Sequence, residues 1–147
     1  MTGPEIVVPE SAVSFDSITD LRLYLKKLMD AYELQIYAYG EKTGDLVRET
    51  YARDEFKKEN MRKIHTNWEP LGPIFMNKID PLAGETEATS EMLAEFKHKV
   101  LVTKGAFIAV DKAIKEEREY IPAGRLILYL SYGVPKMLVV RKLAGRH

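Results

Sequence analysis

The chain's three histidines, His65, His98 and His147, include no pair at the i, i+4 spacing that sets two metal ligands on one helix face. Cysteine is absent from all 147 residues. That excludes thiolate zinc sites, iron–sulfur clusters, thiol nucleophiles and disulfide scaffolds. No metal and no cofactor is expected. A hydroxyl nucleophile has little support either, because no Gly-x-Ser-x-Gly elbow occurs. Ser131, before Tyr132 and Gly133, has no acidic residue after it and only His147 as a base, so it reads as a hydrogen-bonded strand serine. Phosphate cradles of the Gly-x-Gly-x-x-Gly and P-loop types are missing, and Gly40 and Gly44 read as a turn between strands rather than the mouth of a helix. Two carboxylate pairs, Glu69 with Asp80 and Glu85 with Glu87, would need one buried member with a raised pKa to act as acid and base. Solvated loop carboxylates are the commoner state. No constellation for catalysis results, and the expectation leans away from an enzyme.

Binding is better represented. Arg53, Lys57, Lys58, Arg62, Lys63 and His65 crowd a short stretch flanked by Tyr51 and Trp68, a pattern of phosphate-contacting cations beside aromatics that stack on bases. Arg141 and Lys142 would add to it from the C-terminal end, which makes nucleic acid one expected partner. Asp54, Glu55 and Glu59 in the same stretch and a formal net charge of zero weigh on the other side.

A second pattern is apolar. Residues 66–88 contain Pro70, Pro73, Pro81, Gly72 and Gly84, the composition of a loop, yet also Trp68, Leu71, Ile74, Phe75, Met76, Ile79 and Leu82. Surface loops are ordinarily polar, so a proline-rich apolar loop must bury its side chains against its own core, a ligand or another chain. Trp68, Leu71, Ile74, Phe75 and Met76 are the expected interface, with Trp68 and Phe75 as anchors. A third reading places Tyr37, Tyr39 and Tyr51 opposite Trp68, Phe75 and Met76 as an aromatic pocket for a small molecule.

Several elements must position these residues. Ile18, Leu21, Leu25, Leu28, Met29 and Tyr32 recur at spacings of three and four, and Asp16 or Ser17 can cap them, which predicts a helix over 17–32. Residues 34–52 alternate around Gly40 and Gly44 and read as a β-hairpin. Residues 54–64 read as a weakly amphipathic helix. Thr89 or Ser90 would cap a further helix that ends at Gly105, and 106–119 reads as another helix, with a strand at 105–110 as its rival. Residues 125–132 and 136–143, joined by Gly133, Val134 and Pro135, carry the strongest strand pattern, apolar on both faces. Strands of that kind are usually covered twice, and few helices are left to cover them. Residues 1–15, with Ile6, Val7 and Val8 between Pro4 and Pro9, read as an edge strand or an ordered arm.

The expected fold is therefore α+β. It is a single domain over 1–147, with one antiparallel sheet of four or five strands built from hairpins at about 34–52 and 125–143 and three or four helices packed on it. The N-terminus lacks a basic and apolar leader, and no apolar run is long enough to span a bilayer, so a cytoplasmic protein without a membrane partner is expected. Charge is unevenly spread. Residues 66–99 hold three basic and six acidic side chains, whereas the last 25 hold five basic and none acidic. The function that these features favour is non-catalytic interaction. The chain would self-associate, or bind another protein, through the apolar loop and the C-terminal hairpin.

Overall fold

The computed structural model describes residues 10–53, 68–116 and 124–141. Their elements run β1 (Ala12–Phe15), α1 (Ile18–Arg53), β2 (Glu69–Leu71), β3 (Ile74–Met76), α2 (Pro81–Lys115), β4 (Arg125–Ser131) and β5 (Val134–Arg141). The chain divides into two compact units, Met1–Tyr32 with His98–His147, and Glu33–Lys97. Both long helices contribute a part to each unit.

The first unit holds a three-stranded antiparallel sheet in the order β1-β4-β5. Strand β4 obeys the two-residue period: Leu126, Leu128 and Leu130 are buried, and the residues between them turn away. The three leucines form one core with Phe15, Leu21, Leu25 and Val110, against which Phe107, Ile114 and Val140 also pack. Both helices therefore cover a single face of the sheet. Strands β4 and β5 are joined by Tyr132 and Gly133, which both have positive φ (51° and 76°), as a tight I′-type hairpin turn requires. The Tyr32 hydroxyl donates to the Gly133 carbonyl. That hydroxyl occupies the space a Cβ at Gly133 would need. Between the helices, Arg22 Nε donates to Asp111 Oδ1 at 2.7 Å, while Lys115 Nζ lies 2.9 Å from Oδ2. The two cations hold the Asp111 carboxyl below its ordinary pKa, chiefly through these hydrogen bonds.

The second unit is built from the C-terminal part of α1, the N-terminal part of α2 and the β2–β3 hairpin. Tyr39 stacks on Phe96 with ring centroids 5.6 Å apart. Leu46, Thr50, Ala83 and Thr89 are buried. The hydroxyls of Thr50 and Thr89 donate to the carbonyls of Leu46 and Glu85 four residues back, so a polar side chain sits inside without an unmet donor.

The described residues are α+β, with five strands in two antiparallel sheets and two helices. Several expectations change accordingly. The hairpin at 34–52 does not form: α1 continues without a break from Ile18 to Arg53. Its apolar positions Leu25, Leu28, Tyr32, Ile36, Tyr39 and Leu46 keep the helical spacing past residue 33, and a helix already nucleated extends at one hydrogen bond per added residue. Gly40 and Gly44 are helix-interior residues rather than turn residues. The helix at 17–32 is thus the start of a longer one, capped by Ser17, whose Oγ accepts from the Asp20 amide at 3.1 Å.

The loop at 66–88 is also corrected. Its described part is a β-hairpin followed by the first turns of α2. Asp80 caps that helix by accepting from the Ala83 amide at 3.2 Å, and Pro81 occupies the first helical position, where its missing N–H costs nothing. Thr89 and Ser90 lie within the helix, and so does Gly105, so no helix ends there and no strand forms at 105–110. In the N-terminal segment the strand is Ala12–Phe15, at an edge of the sheet; Ile6, Val7 and Val8 lie outside the described residues, as does the helix read at 54–64. The C-terminal hairpin is present at β4 and β5, with a shorter turn than Gly133-Val134-Pro135 suggests.

Candidate functional site

Strands β2 and β3 pair as Glu69 with Met76, Pro70 with Phe75 and Leu71 with Ile74. Two residues connect them, and the first, Gly72, has a φ of 59°, the position type II′ turns reserve for glycine. A hairpin this short cannot bury both of its faces. Leu71, Ile74 and Phe75 are 55%, 60% and 70% exposed, and Ile79, just beyond β3, is 65% exposed. Trp68 and Met76 are half-buried at the base. The five residues expected to form an interface thus lie on or beside one small element, and Ile79, apolar in the same stretch, is exposed next to it.

The hairpin is fastened at its base by side chains, one of them reaching α2. The Trp68 indole N–H donates to Glu87 Oε2 at 2.6 Å, and Lys78 Nζ lies 3.6 Å from Glu69 Oε2. Beside this attachment opens a groove of about 700 Å³. Trp68, Ile74 and Phe75 line it from the hairpin side, and Glu87, Glu91 and Met92 from α2. Its walls are apolar and its helix side carries two carboxylates one turn apart.

A second exposed surface belongs to the first unit. The sheet face turned away from the helices presents Ile127 and Tyr129 from β4 beside Val139 and Met137 from β5, their register partners. Met137 is 60% and Val139 45% exposed. At the end of this row Arg125 stands directly opposite Arg141, an arrangement that like charges in a sheet ordinarily avoid. Among the described residues neither arginine has an acidic partner. Arg125 escaped sequence reasoning because its pairing depends on the register.

The remaining candidates are dispersed. Arg53 is the last residue of α1, Arg141 ends β5, and Lys57, Lys58, Arg62, Lys63 and Lys142 lie outside the described residues. The pocket of Tyr37, Tyr39 and Tyr51 facing the loop does not form as a hairpin surface: all three are on α1, Tyr39 is stacked on Phe96, and Tyr37 and Tyr51 point into solvent. Glu69 and Asp80 are engaged separately, one with Lys78 and the other as a helix cap. Among the described residues no three His, Asp or Glu side chains are grouped to hold a metal ion, and no helix is long and apolar enough to cross a membrane.

Compared with protein-family models, with curated proteins and with solved structures, the chain matches none.

Proposed function

We propose that the chain is a non-catalytic interaction protein that self-associates through the β2–β3 hairpin. The observation that carries this reading is the exposure of Leu71, Ile74 and Phe75 together on an element whose base is fixed by the Trp68–Glu87 hydrogen bond. Apolar side chains left exposed on both faces of a rigid support mark a surface for interaction, because burying each aromatic or branched side chain contributes about 1.5–3 kcal/mol. Preorganisation lowers the entropy lost on docking.

Phe75→Glu is the direct test. A carboxylate at the centre of an apolar interface weakens association by about 2 kcal/mol or more, roughly a 30-fold loss of affinity. Light scattering coupled to size-exclusion chromatography should show the wild-type chain shifting to a larger mass with concentration and the variant staying monomeric. An unchanged assembly state in a folded Phe75→Glu chain contradicts the reading.

A nucleic-acid partner is the second reading, favoured by the juxtaposition of Arg125 and Arg141. It predicts that a labelled oligonucleotide binds at low salt and is released as salt rises. Failure of both DNA and RNA to bind at low salt rules it out.

A further inference from the structure

Resting on the nucleic-acid reading, we infer that the open face of the β1-β4-β5 sheet is a track for a single strand, with a phosphate between Arg125 and Arg141 and bases stacked on Tyr129 and Tyr132. The two arginines are direct register partners and so stand on the same face. Opposed side chains in an antiparallel pair have Cβ atoms about 5 Å apart, so two guanidinium groups repel one another there unless an anion lies between them. Among the described residues no carboxylate pairs with either. Two planar forks at that spacing can both donate to the oxygens of one phosphate. Lys136 adds a cation from the same strand as Arg141, and the last 25 residues hold five basic side chains and no acid.

Charge alone does not select the ligand, and the aromatic residues do. Strand β4 is central in the sheet, yet Tyr129 is 38% exposed. Its neighbour on β1 is Ala12, too small to cover the ring, and Ser14 stands beside Ile127 in the same way. Tyr129 lies four residues along β4 from Arg125, about 13 Å at the rise of a strand, a reach of about four stacked nucleotides. The turn that follows presents Tyr132, 93% exposed and with a φ of 51° that bulky side chains rarely adopt. Asparagine or glycine would hold this turn with less strain, so the backbone gives no reason for a tyrosine there and its exposed ring does. The hydrogen bond from the Tyr32 hydroxyl to the Gly133 carbonyl holds the turn that carries it.

An acidic peptide would satisfy the arginines and leave the rings unused. So would a duplex, whose bases face one another and whose backbone alone meets a flat sheet. With β1 paired along β4, the β4–β5 hairpin is not a free two-stranded ribbon that could enter a major groove. Unpaired bases do offer their faces, and aromatic platforms beside a cationic track hold single strands with little regard to sequence.

Fluorescence anisotropy with a short labelled single strand, and with the same sequence as a duplex, tests this. At low salt the single strand should bind roughly tenfold more tightly than the duplex. Arg125→Ala with Arg141→Ala should weaken it roughly tenfold and flatten its salt dependence. Tyr129→Leu with Tyr132→Asn should weaken it by a similar factor and leave the salt dependence unchanged. That pair keeps an apolar side chain in the sheet and a residue suited to positive φ in the turn, so the loss is read on folded protein. Lys42→Ala with Lys104→Ala, which removes two exposed cations from the helices, should bind like the wild type. If no single strand of DNA or RNA binds, the nucleic-acid reading falls and the inference with it. A single strand that binds the arginine and tyrosine variants as it binds the wild type, or a duplex that binds equally well, overturns the inference and leaves that reading standing. Polyglutamate that displaces the labelled strand as readily as unlabelled strand does overturns the inference in favour of an acidic protein partner.

Discussion

Asp111 shows how a single side chain can join two helices and make the join depend on pH. Arg22 reaches it from α1 and also lies over the Phe107 ring, with its guanidinium carbon 5.0 Å from the centroid; Lys115 reaches the other oxygen from one turn along α2. The carboxyl is held below its ordinary value. Its contribution to stability is therefore complete above the unfolded value of about 3.9 and is lost as pH falls through the lower folded value. Denaturant unfolding of Asp111→Asn should show a deficit against the wild type at pH 7 that shrinks steadily below about pH 3.9. A deficit that stays constant down to pH 2.5 would mean that the carboxylate's charge plays no part. Other residue-scale features were readable beforehand only in part. Ser17 as a cap follows from its type and place, but Asp80 was overlooked because Pro81 and Gly84 resemble loop residues until a helix is known to begin there.

Among the elements, the two long helices explain most of the difference between expectation and structure. In α1 the alternation of Tyr37 and Tyr39 with Ile36 and Ala38 fits a strand over six residues, and only the longer window from Leu25 to Leu46 reveals the helical period. In α2 the buried stripe includes Thr89 and Thr103, whose polarity hides the period from a count of apolar residues. Glycines misled most. Gly40 and Gly105 lie inside helices where an added Cβ meets nothing within 4 Å. Alanine at either position should raise stability by about 0.5–1 kcal/mol, measured by chemical unfolding, because it restricts the unfolded chain and suits the helix. A destabilising Gly40→Ala would indicate that α1 bends or packs more closely there. The C-terminal hairpin was legible because its two strands carry dense β-formers, although its register and turn were not. Those depend on Tyr132 and Gly133 adopting positive φ.

For the molecule as a whole, the sequence disclosed that apolar surface exceeds what the helices cover but not where the excess lies. The loop composition of 66–88 pointed to Trp68, Leu71, Ile74, Phe75 and Met76, and the structure collects them on the β2–β3 hairpin. The two-sided apolarity of β4 and β5 pointed to a face in need of cover, and both helices lie on the opposite one. The facing of Arg125 and Arg141 on that sheet was not legible, because the two are far apart in sequence and meet only through strand pairing. Sedimentation velocity of the wild-type chain beside Phe75→Glu over a wide concentration range decides whether the chain self-associates through the hairpin. For a chain that self-associates there, the wild-type sedimentation coefficient should rise with concentration while the folded variant remains at the monomer value throughout. A wild-type chain that stays monomeric at every concentration, or a folded variant that assembles equally well, would contradict it.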